Sequence, residues 1–121
     1  MFVSELLNKY DFHDSNVIQL FHEENNLIMK LDLCMWKQKD YEEGEDELKE
    51  VSIEFKDVKR FVWDSEKDEE DIDYDTILEF SCKGKHIKIV LEDEDISIIT
   101  FQCVSVEFIN CILSESNNPD M

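Results

Sequence analysis

The stretch Leu27-Ile28-Met29-Lys30-Leu31-Asp32-Leu33-Cys34-Met35-Trp36 decides the fold class of this chain. Every second residue is apolar: Leu27, Met29, Leu31, Leu33 and Met35. Lys30 and Asp32 lie between these apolar positions. A helix would spread these five side chains around its circumference, whereas a pleated strand collects them on one face. Residues 27–36 are therefore predicted to form a β-strand with one buried face.

The strand at residues 27–36 has a predicted partner immediately before it in the chain. Residues 16–22 are also rich in apolar residues with strand-like alternation, and Glu24-Asn25-Asn26 separates the two runs. Short polar segments of this kind form turns between paired strands. The two runs therefore predict a β-hairpin.

Five further runs extend the β pattern toward the C-terminus. Residues 51–55 alternate regularly, and the alternation slips near Asp57, which indicates a β-bulge or a bend before another short strand at 58–63. Residues 76–82 and 86–91 predict a second hairpin with Gly84 in its turn. Residues 96–109 are almost continuously apolar and predict a central strand buried on both faces.

These elements together predict a mainly β fold. We expect a single antiparallel sheet of six to seven strands, curled into a sandwich or a partial barrel, with a short amphipathic helix within residues 2–10. The absence of alanine, the best helix former, agrees with this prediction. The 121 residues suffice for one domain, expected at 1–113, followed by a polar tail at 114–121 that is expected to fray.

Charge is the unusual feature of the composition. The chain has 31 acidic and 12 basic residues, a net charge of −19, and Arg60 is its only arginine. Nucleic-acid backbones and anionic membranes would be repelled by such a chain. No apolar run approaches the roughly 18 residues of a membrane span. Neither class of partner is therefore predicted.

The cysteines and the N-terminus bear on the compartment. The first residues lack the basic region and the long apolar run of a secretory signal. The chain has four cysteines, Cys34, Cys82, Cys103 and Cys111. They contain no Cys-x-x-Cys pair, and three of the four lie in strand-like runs. We therefore expect reduced core thiols in a cytosolic, cytoplasmic protein, without a zinc knuckle or a redox pair.

The negative charge is concentrated in two segments. Residues 40–50, the first acidic segment, hold seven acids and one lysine, a net charge of −6. Residues 64–75, the second acidic segment, hold eight acids and one lysine, a net charge of −7. Both fall between predicted strands and should form exposed loops. The sequence leaves open whether they share an edge of the sheet or project at opposite ends.

Four interpretations of the acidic segments compete. They are solvated loops without a specific role, a docking surface for a basic protein, a calcium site, or a mimic of nucleic-acid phosphates that blocks a nuclease. The calcium interpretation rests on Asp71-x-Asp73-x-Asp75, which has the first spacings of an EF-hand loop. It is weakened by Thr76 and Cys82, which stand where that loop needs glycine and glutamate. We predict no metal and no cofactor.

Aromatic residues adjoin both acidic segments. Trp36 and Trp63 each end an apolar run beside one of them, which suits strand-end packing but also suits a protein contact surface. The predicted partner-binding residues combine these aromatics with exposed acids: Trp36, Tyr41, Glu42, Glu43, Trp63, Asp68, Glu69, Asp71 and Tyr74.

A catalytic role is not supported by the sequence. His13-Asp14-Ser15 resembles a hydrolase triad in composition only, because triad members converge through the fold and adjacent residues generally cannot. We expect Asp14 and Ser15 to form a turn that starts the first strand. A metal site would have to be assembled across strands, for example from His13, Asp14 and His22. The predicted catalytic set is therefore empty, and the protein is predicted not to be an enzyme.

The segment Tyr10-Asp11-Phe12-His13-Asp14-Ser15-Asn16-Val17, followed by a hairpin and by the strand at residues 51–58, resembles a set of small acidic bacterial proteins of uncharacterised function. Some of these resemble immunity proteins that neutralise polymorphic toxins. The resemblance implies a cytosolic binding protein with no catalytic residues.

The leading hypothesis is a non-enzymatic β-sheet protein that binds a basic protein partner, such as a toxin domain, through its acidic segments. The alternative is a β-barrel that binds a small ligand or a divalent metal. The identity of the partner, the oligomeric state and the role of His13-Asp14-Ser15 stay open at this point.

Overall fold

A computed structural model describes residues 1–109, which contain one short α-helix and eight β-strands. Helix α1 is Val3–Lys9. The strands are β1 Asn16–Glu23, β2 Asn26–Cys34, β3 Leu48–Lys56, β4 Lys59–Asp64, β5 Asp75–Lys83, β6 His86–Glu92, β7 Ile96–Gln102 and β8 Ser105–Phe108. Two single-turn 3-10 helices, Met35–Lys37 and Glu69–Asp71, complete the described elements.

The eight strands form one sheet in the order β4-β7-β6-β5-β1-β2-β3-β8, and every pairing is antiparallel. The mainly β prediction, the short N-terminal helix and the hairpins β1–β2 and β5–β6 are therefore confirmed. Gly84 follows β5 directly with a positive φ of 63°, as its predicted place in the turn requires. The strand number is eight rather than six to seven.

The extra strand arises because the predicted strand at 96–109 is two strands. Cys103 and Val104 separate β7 from β8, and the backbone N–H of Cys103 donates to the carbonyl of Lys85. The prediction that this run is buried on both faces is wrong, because buried residues of β7 alternate with more exposed ones, as antiparallel strands allow. Strand β7 is central nonetheless, since it pairs with both β4 and β6.

The predicted slip near Asp57 is confirmed as a sharp bend between β3 and β4. Asp57 has a positive φ of 53°, and its N–H donates to the side-chain oxygen of Asn26 at 2.9 Å. A second irregularity follows within β4, where Arg60 has a φ of 56° and the register against β7 shifts. Strand β4 thereby leaves β2 and β3 and joins the far side of the sheet.

Strand β2 buries the face that its alternation predicts, but it ends earlier than expected. Leu27, Met29, Leu31 and Leu33 are all buried. The strand stops at Cys34, and residues 35–37 form a 3-10 turn instead of continuing to residue 36. The turn is closed by the N–H of Gln38, which donates to the carbonyl of Met35 at 2.9 Å, and alternation of apolar residues does not show where such a turn begins.

Aromatic rings at the centre of the core connect different parts of the sheet. Phe55 of β3 is fully buried, and its ring centroid lies 5.9 Å from Phe80 of β5 and 5.0 Å from Phe101 of β7. Helix α1 adds Val3 and Leu6 to the same core. A single core therefore holds both halves of the sheet.

The described cysteines are free thiols. Cys34 and Cys103 are buried, and burial raises the pKa of each thiol. Cys82 is half-buried. Cys111, the predicted tail at 114–121 and the domain boundary at 113 lie outside the described residues. Among residues 1–109, none of the helices combines the length and the apolar character that a membrane span needs.

Ser15 ties the start of β1 to the end of β2. Its hydroxyl oxygen is buried and accepts a hydrogen bond from the N–H of Cys34 at 2.9 Å. We expect Ser15→Ala to lower the free energy of unfolding by about 1–3 kcal/mol, because the buried N–H of Cys34 loses its partner. Ser4→Ala, on the exposed face of α1, is the control and should change it by no more than about 0.5 kcal/mol. If urea titrations show equal effects for the two variants, Ser15 does not stabilise the junction of β1 and β2.

Candidate functional site

The first acidic segment is anchored to the sheet at its base. The side-chain amide of Gln38 donates 2.8 Å hydrogen bonds to the carbonyls of Asp11 and Cys34. Its side-chain oxygen accepts from the N–H of Asp11 at 2.9 Å. The loop thus leaves the sheet from a fixed point beside the start of β1.

The predicted contact residues of this first acidic segment differ in availability. Glu42 and Glu43 are exposed. Trp36, just before the segment, is 50% exposed, with the Lys37 ammonium 5.4 Å from its ring centroid. The Tyr41 hydroxyl already makes a hydrogen bond within the loop, since it donates to the carbonyl of Glu45 at 3.2 Å. Trp36 and the two glutamates are therefore the side chains that a partner could contact directly.

The second acidic segment is anchored by its only base, a feature the sequence analysis missed. The Lys67 ammonium lies 2.6 Å from a carboxylate oxygen of Asp75 and 2.6 Å from one of Asp93. The Asp75 side chain is fully buried, and only 12% of the Lys67 side chain is exposed. The signal was a single lysine in a run of acids, which suggests a solvated charge until the fold turns it inward.

Lys67, Asp75 and Asp93 form an ion triad, and its electrostatics favour the charged forms of Lys67 and Asp93. The backbone N–H of Asp95 and the Lys67 ammonium hold the pKa of Asp93 below its ordinary 3.8. Burial acts to lower the pKa of Lys67, but its hydrogen bonds to Asp75 and Asp93 raise it above the ordinary 10.5. Lys67 and Asp93 therefore stay ionised across the neutral range.

The remaining contacts of the second acidic segment also hold it against the sheet. The Trp63 indole N–H donates to the carbonyl of Lys67 at 2.7 Å, and the ring packs against the core. One carboxylate oxygen of Glu69 lies 2.9 Å from Nε2 of His22 on β1. Ser65 and Ser97 share a 2.7 Å hydroxyl hydrogen bond.

Three predicted contact residues of the second segment face outward. Asp68 and Asp71 are exposed, and Tyr74 is 54% exposed with a positive φ of 60°. Trp63 and Glu69, by contrast, make contacts within the chain, Trp63 with the carbonyl of Lys67 and Glu69 with His22 at the surface. The structure therefore divides the predicted set into side chains free to meet a partner and side chains that hold the loop.

The two acidic segments are anchored through different residues. Within residues 1–109, no hydrogen bond or ion pair joins one segment to the other. The first is tied to Asp11, before β1. The second is tied at both ends of β1, because Asp75 pairs with Val17 at its start and Glu69 contacts His22 near its end. The segments are therefore held separately, although the anchors at Asp11 and Asp75 both lie near the start of β1.

The His13-Asp14-Ser15 cluster is a structural turn in which Ser15 is not accessible. The N–H of His13 donates to the carboxylate of Asp11 at 3.0 Å, so Asp11 makes the Asx turn rather than Asp14 or Ser15 as expected. His13 is exposed beside Asp14, at 3.2 Å, and Lys37 pairs with the same carboxylate at 3.2 Å. Ser15 Oγ is committed to Cys34, as described above.

The residues of the calcium interpretation are not arranged around a common centre. Asp75 points into the protein toward Lys67, and its other carboxylate oxygen accepts from the N–H of Asp73 at 3.0 Å. In the part of the chain that the structure describes, no group of three or more His, Cys, Asp or Glu residues is placed to hold a metal ion.

Comparison of the chain with models of protein families, with curated proteins and with solved structures finds no match.

Proposed function

We propose that this chain is a non-enzymatic, cytoplasmic binding protein that engages a basic protein through its two acidic segments. The observation that carries the proposal is the outward orientation of carboxylates on loops that are anchored to a rigid sheet. Glu42, Glu43, Asp68 and Asp71 are exposed and, among the described residues, form no ion pair. Such a surface accelerates encounter with a positively charged partner.

The orientation of Lys67 strengthens this argument. Because Lys67 and Asp75 neutralise each other inside the protein, the outer surface of the second acidic segment presents its other acids without a base. The effective field of the segment is therefore carried entirely by carboxylates. Trp36 and Tyr74, each about half exposed, supply apolar contact area next to this charge.

We infer further that the sheet curls into a partial barrel, which gives the loops a stiff base. The supporting observation is a shared register between the two ends of the sheet. Lys56 of β3 pairs with Ser105 of β8, and Lys59 of β4 pairs with Gln102 of β7. The consecutive strands β3 and β4 therefore run beside the consecutive strands β7 and β8, which brings the two ends of the sheet close together. Loops on a stiff base lose less conformational entropy on binding.

The partner class that we favour is a basic toxin domain, which makes this chain an immunity protein. The resemblance of residues 10–17 to small acidic bacterial proteins implies this role, and the acidic segments supply the chemistry that a cationic nuclease or pore-forming domain would recognise. An immunity protein needs affinity and no catalysis, and the burial of Ser15 supports this role, because its hydroxyl is engaged with Cys34 rather than open to a substrate.

The experiment is co-expression with the proteins encoded on either side of this chain's gene. Each neighbour is produced in a bacterial host alone and together with this chain, and growth and co-purification are measured. We expect one neighbour to be basic, to arrest growth when alone, and to be neutralised and co-purified when this chain is present. If no neighbouring product is toxic or retained by this chain, the immunity role is rejected.

A further inference from the structure

A cleft of about 600 Å³ lies on the side of the sheet formed by β4, β7, β6 and β5. Four basic side chains line it, Arg60, Lys83, His86 and Lys88, and none of its lining residues is acidic. This composition contrasts with a chain in which acids outnumber bases 31 to 12.

The register of the strands brings these side chains to one face. Lys83 pairs with His86, and His86 pairs with Gln102. The next row on the same face contains Ser81, Lys88 and Thr100. Paired residues, and residues two apart in one strand, point to the same side of a sheet, with rows about 7 Å apart and strands about 5 Å apart. The cleft is therefore built on strands and presents cations, hydroxyls and an amide together.

The positive charge of the cleft is poorly compensated. Among residues 1–109, no carboxylate lies within 4 Å of the side-chain nitrogens of Arg60, Lys83 or His86. One carboxylate, that of Glu79, adjoins the cleft: it lies 3.9 Å from the Lys88 ammonium and accepts from the Ser81 hydroxyl at 2.8 Å. Residues 80–91 contain three lysines and a histidine but no acid. Like charges on neighbouring strands repel each other, and a bound anion would offset that cost.

The second acidic segment is too far away to neutralise the cleft. It ends at Asp75, where β5 begins, whereas Lys83 is the last residue of the same strand. Eight residues of strand separate them by about 26 Å, compared with a Debye length of about 8 Å at physiological ionic strength.

We propose that this cleft binds a compact, multiply charged oxyanion, carried by phosphate or carboxylate groups of a small molecule. Arg60 and Lys88 supply charge, the Thr100 hydroxyl and the Gln102 amide supply hydrogen bonds, and the volume suits a small metabolite. A long polyanion such as nucleic acid is disfavoured, because the net charge of −19 repels its remaining phosphates. This site is independent of the acidic segments.

The test is calorimetric titration of the full chain with inorganic pyrophosphate and with citrate at about 50 mM salt, where screening is weak. We expect one site for at least one of the two anions, and the preferred anion shows whether phosphate or carboxylate is recognised. Arg60→Gln combined with Lys88→Gln should weaken binding by at least about tenfold. Lys9→Gln combined with Lys49→Gln removes the same charge elsewhere and should change it by less than about twofold.

Two controls keep the result interpretable. Circular dichroism and melting curves verify that the variants fold, and Lys83→Gln replaces Arg60→Gln if the positive φ at residue 60 makes that variant unstable. Absence of binding by both anions at about 10 mM, a free energy weaker than about −3 kcal/mol, overturns the proposal. Concentration-dependent self-association that the cleft variant abolishes also overturns it, since the occupant would then be an acidic segment of a second copy.

Discussion

Lys67→Met is expected to lower the free energy of unfolding by about 3 kcal/mol, measured by urea titration at neutral pH. Methionine preserves most of the side-chain volume but leaves the fully buried carboxyl group of Asp75 without its cation. Asp93 loses the same partner at the surface. A loss of this size is a substantial part of the 5–15 kcal/mol that is typical of single domains.

Two further variants separate the buried charge from lost packing. Lys49→Met changes an exposed lysine of β3 and should cost no more than about 0.5 kcal/mol. Lys67→Met combined with Asp75→Asn should recover more than half of the loss, because asparagine is neutral and can still accept from the N–H of Asp73. If Lys67→Met costs no more than Lys49→Met, Lys67 does not anchor the second acidic segment.

The difference in unfolding free energy between the wild type and Lys67→Met is expected to depend on pH in a defined way. Asp93 has a lowered pKa when folded, so its contribution is present above about pH 4 and is lost as the pH falls through that lowered value. Lys67 has a raised pKa, so its contribution is complete below about pH 10 and is lost above the raised value. The stability difference between the wild type and Lys67→Met should therefore be constant from about pH 5 to 9 and should shrink in acid.

Charge reversal in the acidic segments is expected to slow association with the basic partner by about 100-fold at low salt. Glu42→Lys with Glu43→Lys changes the first acidic segment, and Asp68→Lys with Asp71→Lys changes the second. All four side chains are exposed and form no described ion pair, so the fold should be preserved. Stopped-flow or surface-based kinetics against the partner identified by co-expression measures the rate.

The matched control is Glu23→Lys with Glu24→Lys, which changes the net charge by the same amount at the exposed β1–β2 turn. We expect this control to slow association by less than about threefold. If the control slows association as much as either segment variant, net charge alone governs encounter and the segments are not a docking surface. If only one segment variant has an effect, the partner contacts that segment alone, which the separate anchoring of the two segments permits.

Several elements could be predicted because their information is local. The alternation at residues 27–33, the Gly84 turn and the slip at Asp57 each depend on neighbours within a few positions, and the structure confirms all three. Residues 96–109 were predicted wrongly because an apolar run does not show where a strand ends. That end depends on Lys85, whose carbonyl receives the N–H of Cys103.

The candidate sites also divide into features that the local sequence shows and features that depend on distant residues. The positions and net charges of the acidic segments could be read directly from the chain. The inward orientation of Lys67 could not, because Asp93 and Asp75 meet it only after β5 and the β6–β7 turn are in place. The basic cleft was also missed, since Arg60 and residues 80–91 are distant in sequence and converge through the pairing of β4 with β7 and of β7 with β6.

The sequence by itself therefore determined that this protein is a mainly β chain with antiparallel hairpins and two acidic loops. These properties follow from residue type and from a period of two, which each segment carries alone. Only the tertiary structure decided which charges are buried, which are exposed, and that the strand pairing leaves a poorly compensated basic cleft apart from the second acidic segment. Those outcomes depend on strand register between distant residues, and no local pattern encodes that register.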